Sequence, residues 1–149
     1  RNSHDLAVAF GLMHHLPTFA LRARVLEGLL GSLRPGGFAV VSFWQFLNDP
    51  RLAAKAATVT AEGRAAHCLP TFHENDFLLG WQHAEGTYRF CHHTPEDETD
   101  ALLAAIREPS APSTSGCASA APPSFREIAR FSADGKLGNL NRYLILQRL

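Results

Sequence analysis

The chain has 149 residues and a mass of 16.3 kDa, room for one ordinary domain. Its 46% hydrophobic content, with ten Phe and two Trp, supplies a packed core and excludes a disordered chain. Fourteen Lys plus Arg balance fourteen Asp plus Glu, so no whole-chain basic field exists to hold nucleic acid, and any RNA contact has to be local.

No apolar run reaches the roughly 18 residues of a membrane span, so a membrane is not expected as a partner. Cys68, Cys91 and Cys117 are odd in number and lack CxxC spacing, which points away from a disulfide scaffold and toward a reducing cytoplasm. The chain opens Arg1-Asn2-Ser3-His4 without Met and enters apolar sequence at once. Gly11, His14 and His15 interrupt that sequence, unlike the core of a signal peptide, so the chain reads as a piece of a longer protein.

Residues 5–10, Asp5-Leu6-Ala7-Val8-Ala9-Phe10, have the length and content of a strand buried on both faces. After Pro17, the apolar residues Phe19, Leu21, Val25, Leu26, Leu29, Leu30 and Leu33 recur at helical spacing. Arg22, Arg24 and Glu27 fall mostly on the other side of that helix, and Arg34-Pro35-Gly36-Gly37 stops it. Residues 38–44 are a second buried strand, and strand, helix and strand make a crossover in a parallel sheet. Ala-rich helical sequence over residues 51–66 leads into the region 70–80, and residues 87–93 suit a short strand. Thr94 and Pro95 then read as N-cap and first position of a helix running through Ile106, with Glu96-Asp97-Glu98 serving its N-terminal dipole and little else. Residues 108–123 are a Ser/Ala/Pro-rich loop. Residues 125–132 and 141–148, joined by a turn around Asp134-Gly135, read as an antiparallel pair.

Two blocks, His4-Asp5-Leu6-Ala7-Val8-Ala9-Phe10-Gly11-Leu12-Met13-His14-His15-Leu16-Pro17 and Leu33-Arg34-Pro35-Gly36-Gly37-Phe38, resemble the fourth strand and the turn into the fifth strand of class I S-adenosylmethionine-dependent methyltransferases. Within them, Val41-Ser42-Phe43-Trp44-Gln45-Phe46, Tyr88-Arg89-Phe90-Cys91-His92-His93, Asp134-Gly135-Lys136 and Asn141-Arg142-Tyr143-Leu144 are similar to the wobble-uridine tRNA carboxymethyl methyltransferases. The resemblance covers residues 4–46, 77–106 and 125–149. It implies an α/β fold, a Rossmann-like methyltransferase sheet, mostly parallel with an antiparallel terminal strand and with the N-terminal half missing. The partial domain divides into a strand–helix–strand unit (1–46), a substrate-side insertion (47–94) and a helix, loop and terminal strand pair (95–149). The family's Gly-rich loop after its first strand and the acidic residue closing its second have no counterpart, since Gly36-Gly37 follows a helix.

The resemblance implies methyl transfer from S-adenosylmethionine to a modified uridine of tRNA, with Ala9, Phe10 and Gly11 against the cofactor's methionine arm. A non-enzymatic remnant or partner-binding half-domain is the alternative, and an open edge at residues 6–10 implies self-association. His14 and His15 are the catalytic candidates, as imidazoles that orient a nucleophilic oxygen or work as a base near neutral pH; packing or capping is the plain alternative. Trp44, Gln45, Tyr88, Arg89 and Arg142 are the substrate-binding candidates. Arg beside aromatics clamps a carboxylate or phosphate and stacks on a base, or else covers a strand edge. The pairs His67-Cys68 and Cys91-His92-His93, with His73 and His83, invite a zinc site, but adjacent strand residues point to opposite faces, so no metal is expected.

Overall fold

In the computed structural model, which describes residues 3–70, 72–81, 86–107 and 124–149, the opening apolar run forms strand β1 (His4–Ala9). A 3-10 turn (Met13–His15) leads to helix α1 (Phe19–Ser32). Thr18 starts α1 by accepting from Leu21 N at 3.2 Å, satisfying one donor that a helix start leaves without an intrahelical acceptor. Strand β2 (Leu33–Trp44) returns parallel to β1, completing the crossover. The Arg34-Pro35-Gly36-Gly37 segment is no separate stop. Helix α1 already ends at Ser32, and these residues lie in β2, where the register jumps from His4↔Leu33 to Leu6↔Phe38. Gly36 has φ +84°, and a Cβ on Gly37 would sit 3.0 Å from the carbonyl oxygens of Arg34 and His4. Only Gly permits both the turn of the irregularity and the close approach.

Helix α2 (Pro50–His67) takes its start from Asp49, whose carboxylate accepts from Arg51 N and Leu52 N. It covers a separate two-stranded ribbon, β3 (Asp76–Gly80) paired antiparallel with β4 (Tyr88–His92). β3 falls where the sequence reading assigns no element. Helix α3 (Glu96–Arg107) precedes β5 (Phe125–Ala133) and β6 (Asn141–Arg148). The turn between β5 and β6 uses positive φ at Asp134, Gly135 and Gly138. Residues 108–123 with Cys117, and 82–85 with His83, lie outside the described residues.

The main sheet has the order β1-β2-β6-β5. It is mixed rather than mostly parallel: among the described residues only β1–β2 runs parallel, because the β5–β6 hairpin enters antiparallel to β2. Helices α1 and α3 pack on one face, over Leu30, Val41, Phe43, Leu102, Ile106 and Leu144. β1 is therefore not buried on both faces. It is the edge of the described sheet, with Leu6 57% and Val8 45% exposed while Ala7 and Ala9 pack on the core.

Two polar expectations also change. Arg22 is buried rather than outward, donating to the Leu16 carbonyl at 2.6 Å and to Glu98 at 2.8 Å. Thr94 is fully buried and its Oγ1 makes no hydrogen bond, so its hydroxyl does not cap α3. No helix of the described residues is long and apolar enough to cross a membrane.

Candidate functional site

The carboxyl ends of β1 and β2 open side by side because the strands are parallel, and this is the edge where α/β sheets collect ligands. β1 leaves through Gly11, exposed with φ +63°, whose N–H donates to the Ser42 hydroxyl of β2 at 3.3 Å. The 3-10 turn then sets His14 against Trp44, with ring centroids 4.9 Å apart, and His15 against His14 at 4.0 Å. Strand β4 closes the other side. Its two-residue period puts Arg89 and Cys91 on one face. The Arg89 guanidinium lies 5.8 Å from the Trp44 ring centroid and 5.3 Å from that of Trp81. His15 Nδ1 lies 3.0 Å from the Phe90 carbonyl oxygen, which binds the 3-10 turn to β4.

Burial sets the electrostatics. His14 is only 8% exposed, and burial, helped by the neighbouring His15 and Arg89, lowers its pKa to about 4. It is neutral near pH 7, and its buried Nδ1 makes no hydrogen bond. Cys91 is fully buried and its thiol is pushed up to about 11, although the Arg89 charge pulls the other way. The Arg89 Nε is likewise buried without a hydrogen-bond acceptor. A guanidinium held over two indole rings with a donor to spare is suited to an anionic, planar guest.

His14, His15, Trp44 and Arg89 thus come together, next to Gly11. The remaining sequence candidates stand elsewhere. Ala9 is buried in the core, and the Phe10 ring packs edge-on against Tyr143 at 5.8 Å. Gln45 is buried, its amide donating to the Thr94 carbonyl and accepting from Asn48. Tyr88 packs edge-on against His67 of α2. Arg142 forms an ion pair with Glu96 at 2.8 Å on the α3 side of the sheet. Cys91 and Trp81 join the site although neither was a candidate for it; the two-residue spacing from Arg89 is the sequence signal for Cys91.

The acidic start of α3 does far more than serve the helix dipole. Glu96 also pairs with Arg130 at 2.6 Å. Glu98 Oε1 lies 2.7 Å from Arg22 Nη2, and Glu98 Oε2 lies 2.7 Å from His92 Nε2. His92 Nδ1 faces Asp76 at 2.6 Å, so both ring nitrogens lie against carboxylates. Burial raises the Glu98 pKa, but His92 and Arg22 outweigh it and leave the carboxyl below its usual range. An open cleft of about 470 Å³ lies over this network, beside Phe19, Glu74 and Pro95. Its Arg22, His92 and Glu98 are paired with one another.

No family model and no curated protein matches the sequence. Solved structures do match. A SAM-dependent methyltransferase from Methanosarcina mazei superposes with a TM-score of 0.60 at 19% identity, over 99% of this chain and 60% of that one. The chain shares the methyltransferase fold. An S-adenosylmethionine-dependent methyltransferase from Clostridium acetobutylicum gives 0.52 at 7% identity, over 96% and 57% of the two chains. The CcbJ methyltransferase from Streptomyces caelestis gives 0.51 at 8%, over 97% and 61%. The chain thus spans about three-fifths of the length of the methyltransferases it resembles.

Proposed function

We propose that the chain is the acceptor-side part of an S-adenosylmethionine-dependent methyltransferase, and that its acceptor is a modified uridine of tRNA carrying an anionic group. The observation that carries this reading is the convergence of His14, Trp44 and Arg89 beside the exposed Gly11 backbone, at the carboxyl edge of a methyltransferase-like sheet. Nothing lies within 4 Å of where a Gly11 Cβ would sit, so the backbone there has room for the methionine arm of the cofactor. Among the described residues no Gly-rich loop leads from a strand into a helix, and Gly36-Gly37 lies inside β2. The fit is therefore to the methionine side alone, at the exposed Gly11 backbone.

When bound, S-adenosylmethionine supplies an electrophilic methyl group on a cationic sulfur. Arg89 holds the acceptor's anionic group, and the Trp44 and Trp81 rings flank its planar part. His14, buried against Trp44, lines the inner side of the acceptor pocket. An ionised acceptor needs no base, so alignment in a partly dry site supplies most of the rate. The test is methyl transfer from labelled cofactor to bulk tRNA by the full-length gene product. Arg89→Met should lower the rate by about 10- to 150-fold, the equivalent of losing a charged hydrogen bond worth about 1.5–3 kcal/mol, with cofactor affinity unchanged. Equal rates for wild type and variant would overturn the assignment.

The open side of the sheet favours a second reading, a partner-binding half-domain. Leu6, Val8, Phe10 and Phe38 are between 37% and 58% exposed along β1 and β2, and β1 is an edge strand in the described sheet. On this reading the chain self-associates and Val8→Lys restores a monomer. Light scattering that finds a monodisperse wild-type monomer at tens of micromolar would exclude it.

A further inference from the structure

The turn after β1 and strand β4 bring three metal-binding groups together. One ring nitrogen of His14, one of His15 and the Cys91 Sγ lie within 4.8 Å of one another. Two of the three are buried, and the His14 Nδ1 has no hydrogen-bond partner. A buried polar atom left so destabilises the fold, and a bound ligand would recover that cost. His15 has the outer contact that metal-bound imidazoles use. Its Nδ1 donates to the Phe90 carbonyl at 3.0 Å, which leaves the lone pair on Nε2.

We propose that His14, His15 and Cys91 form a three-ligand site for one divalent cation of the zinc class, with its fourth position open. Two imidazoles and a thiolate suit zinc, a borderline-soft ion, better than magnesium or calcium, which prefer oxygen. Zn–N bonds of about 2.0–2.1 Å and a Zn–S bond of about 2.3 Å place tetrahedral ligands roughly 3.4–3.7 Å apart, so the three atoms must close by about 1 Å. The exposed His15, on a surface turn, is the ligand with room to make that shift. Binding exchanges the Cys91 thiol proton for the metal and releases it to solvent. The Cys91 thiolate cancels one of the two charges on the ion, and Arg89 adds another. The open position is therefore cationic and takes an anionic oxygen donor.

The test uses the 149-residue chain with Cys68→Ser and Cys117→Ser, so that Cys91 is its one thiol. The protein is stripped with chelator and titrated with cobalt chloride, then with zinc chloride. One equivalent of cobalt should produce a near-ultraviolet thiolate charge-transfer band with tetrahedral visible bands, which zinc bleaches. His15→Ala should keep the circular dichroism of the parent, its side chain being exposed, and weaken zinc binding by more than the about 10- to 100-fold that loss of an outer contact costs. His67→Ala, on the exposed end of α2, should bind as the parent does. A missing thiolate band, a band that survives Cys91→Ser in the natural background, or unweakened zinc binding by His15→Ala would each overturn the site. The methyltransferase reading fails separately. Zinc binding without methyl transfer in the full-length product refutes that reading and leaves the metal site. Transfer by protein that binds no zinc does the reverse.

Discussion

Replacing Glu98 by Gln keeps the shape of the side chain and removes the carboxylate charge that the buried Arg22 and His92 both face. Arg22 and His92 are each 4% exposed, and Glu98 joins them through contacts of 2.7–2.8 Å. Breaking a buried charge pair costs about 3–5 kcal/mol. Gln still offers one acceptor oxygen, worth about 1 kcal/mol, but its NH₂ must face the other donor, so the expected net loss is about 2–4 kcal/mol. For a chain of this size that is a fall in Tm of about 6–12 °C. Urea unfolding followed by circular dichroism should show a lower midpoint with an unchanged slope. The effect also has a sign in pH. The Glu98 carboxyl lies below its ordinary 4.5 in the folded state, so its contribution is full above 4.5 and disappears as pH falls through the folded value. The gap between wild type and variant should close in that acidic window, where protonated Glu98 resembles Gln. A variant within about 0.5 kcal/mol of wild type at neutral pH, or a gap that does not change with pH, would refute the charged clamp.

Gly37→Ala should destabilise the fold by about 1–3 kcal/mol, because the three atoms its Cβ meets at 3.0–3.1 Å are all backbone oxygens that cannot swing aside; an unchanged thermal midpoint would contradict this. His14 and His93 both have folded values near 4 against an ordinary 6.5, chiefly from burial. The unfolded chain therefore binds more protons between these values, and stability should fall as pH drops from 6.5 toward 4 and then level off. With solvent screening, each group should contribute on the order of 1–2 kcal/mol to this slope. His14→Phe should flatten the slope of the urea midpoint across this window, and an equal slope in the variant would argue against a buried neutral imidazole.

The β1–α1–β2 unit and the β5–β6 hairpin are legible in the sequence because local chemistry dictates them. Short apolar runs, Pro17 near the helix start and an Asp134-Gly135 turn act over a few residues. What escapes the sequence is fixed by docking. Arg22 lies on the helix face that the pattern marks as outward, and only the arrival of Glu98 on α3 makes its burial tolerable. The pairing of Arg142 with Glu96 is hidden for the same reason. At the candidate site, His15 and Phe90 are 75 positions apart. Strand periodicity says that Arg89 and Cys91 share a face, but not that this face meets the turn after β1. The mixed direction of the sheet is legible only in part, since the hairpin shows that β5 and β6 oppose one another without showing which of them adjoins β2.

The place of β6 in the sheet has a consequence for the order of assembly. β6 lies between β2 and β5, and among the described strands β5 pairs only with β6. Ribosomal synthesis delivers β6 after the other described strands, so these strands stay in two pieces until residues 141–148 have emerged. The N-terminal crossover closes through short loops, and the late hairpin must then add its inner strand along β2, from Phe38↔Gln147 to Trp44↔Asn141. That seam joins segments about a hundred positions apart, and contacts of such separation are the slow ones to form. The Arg148 guanidinium, which donates to the carbonyls of Gly31 and Leu33 around the end of α1, can engage only once β6 is in place.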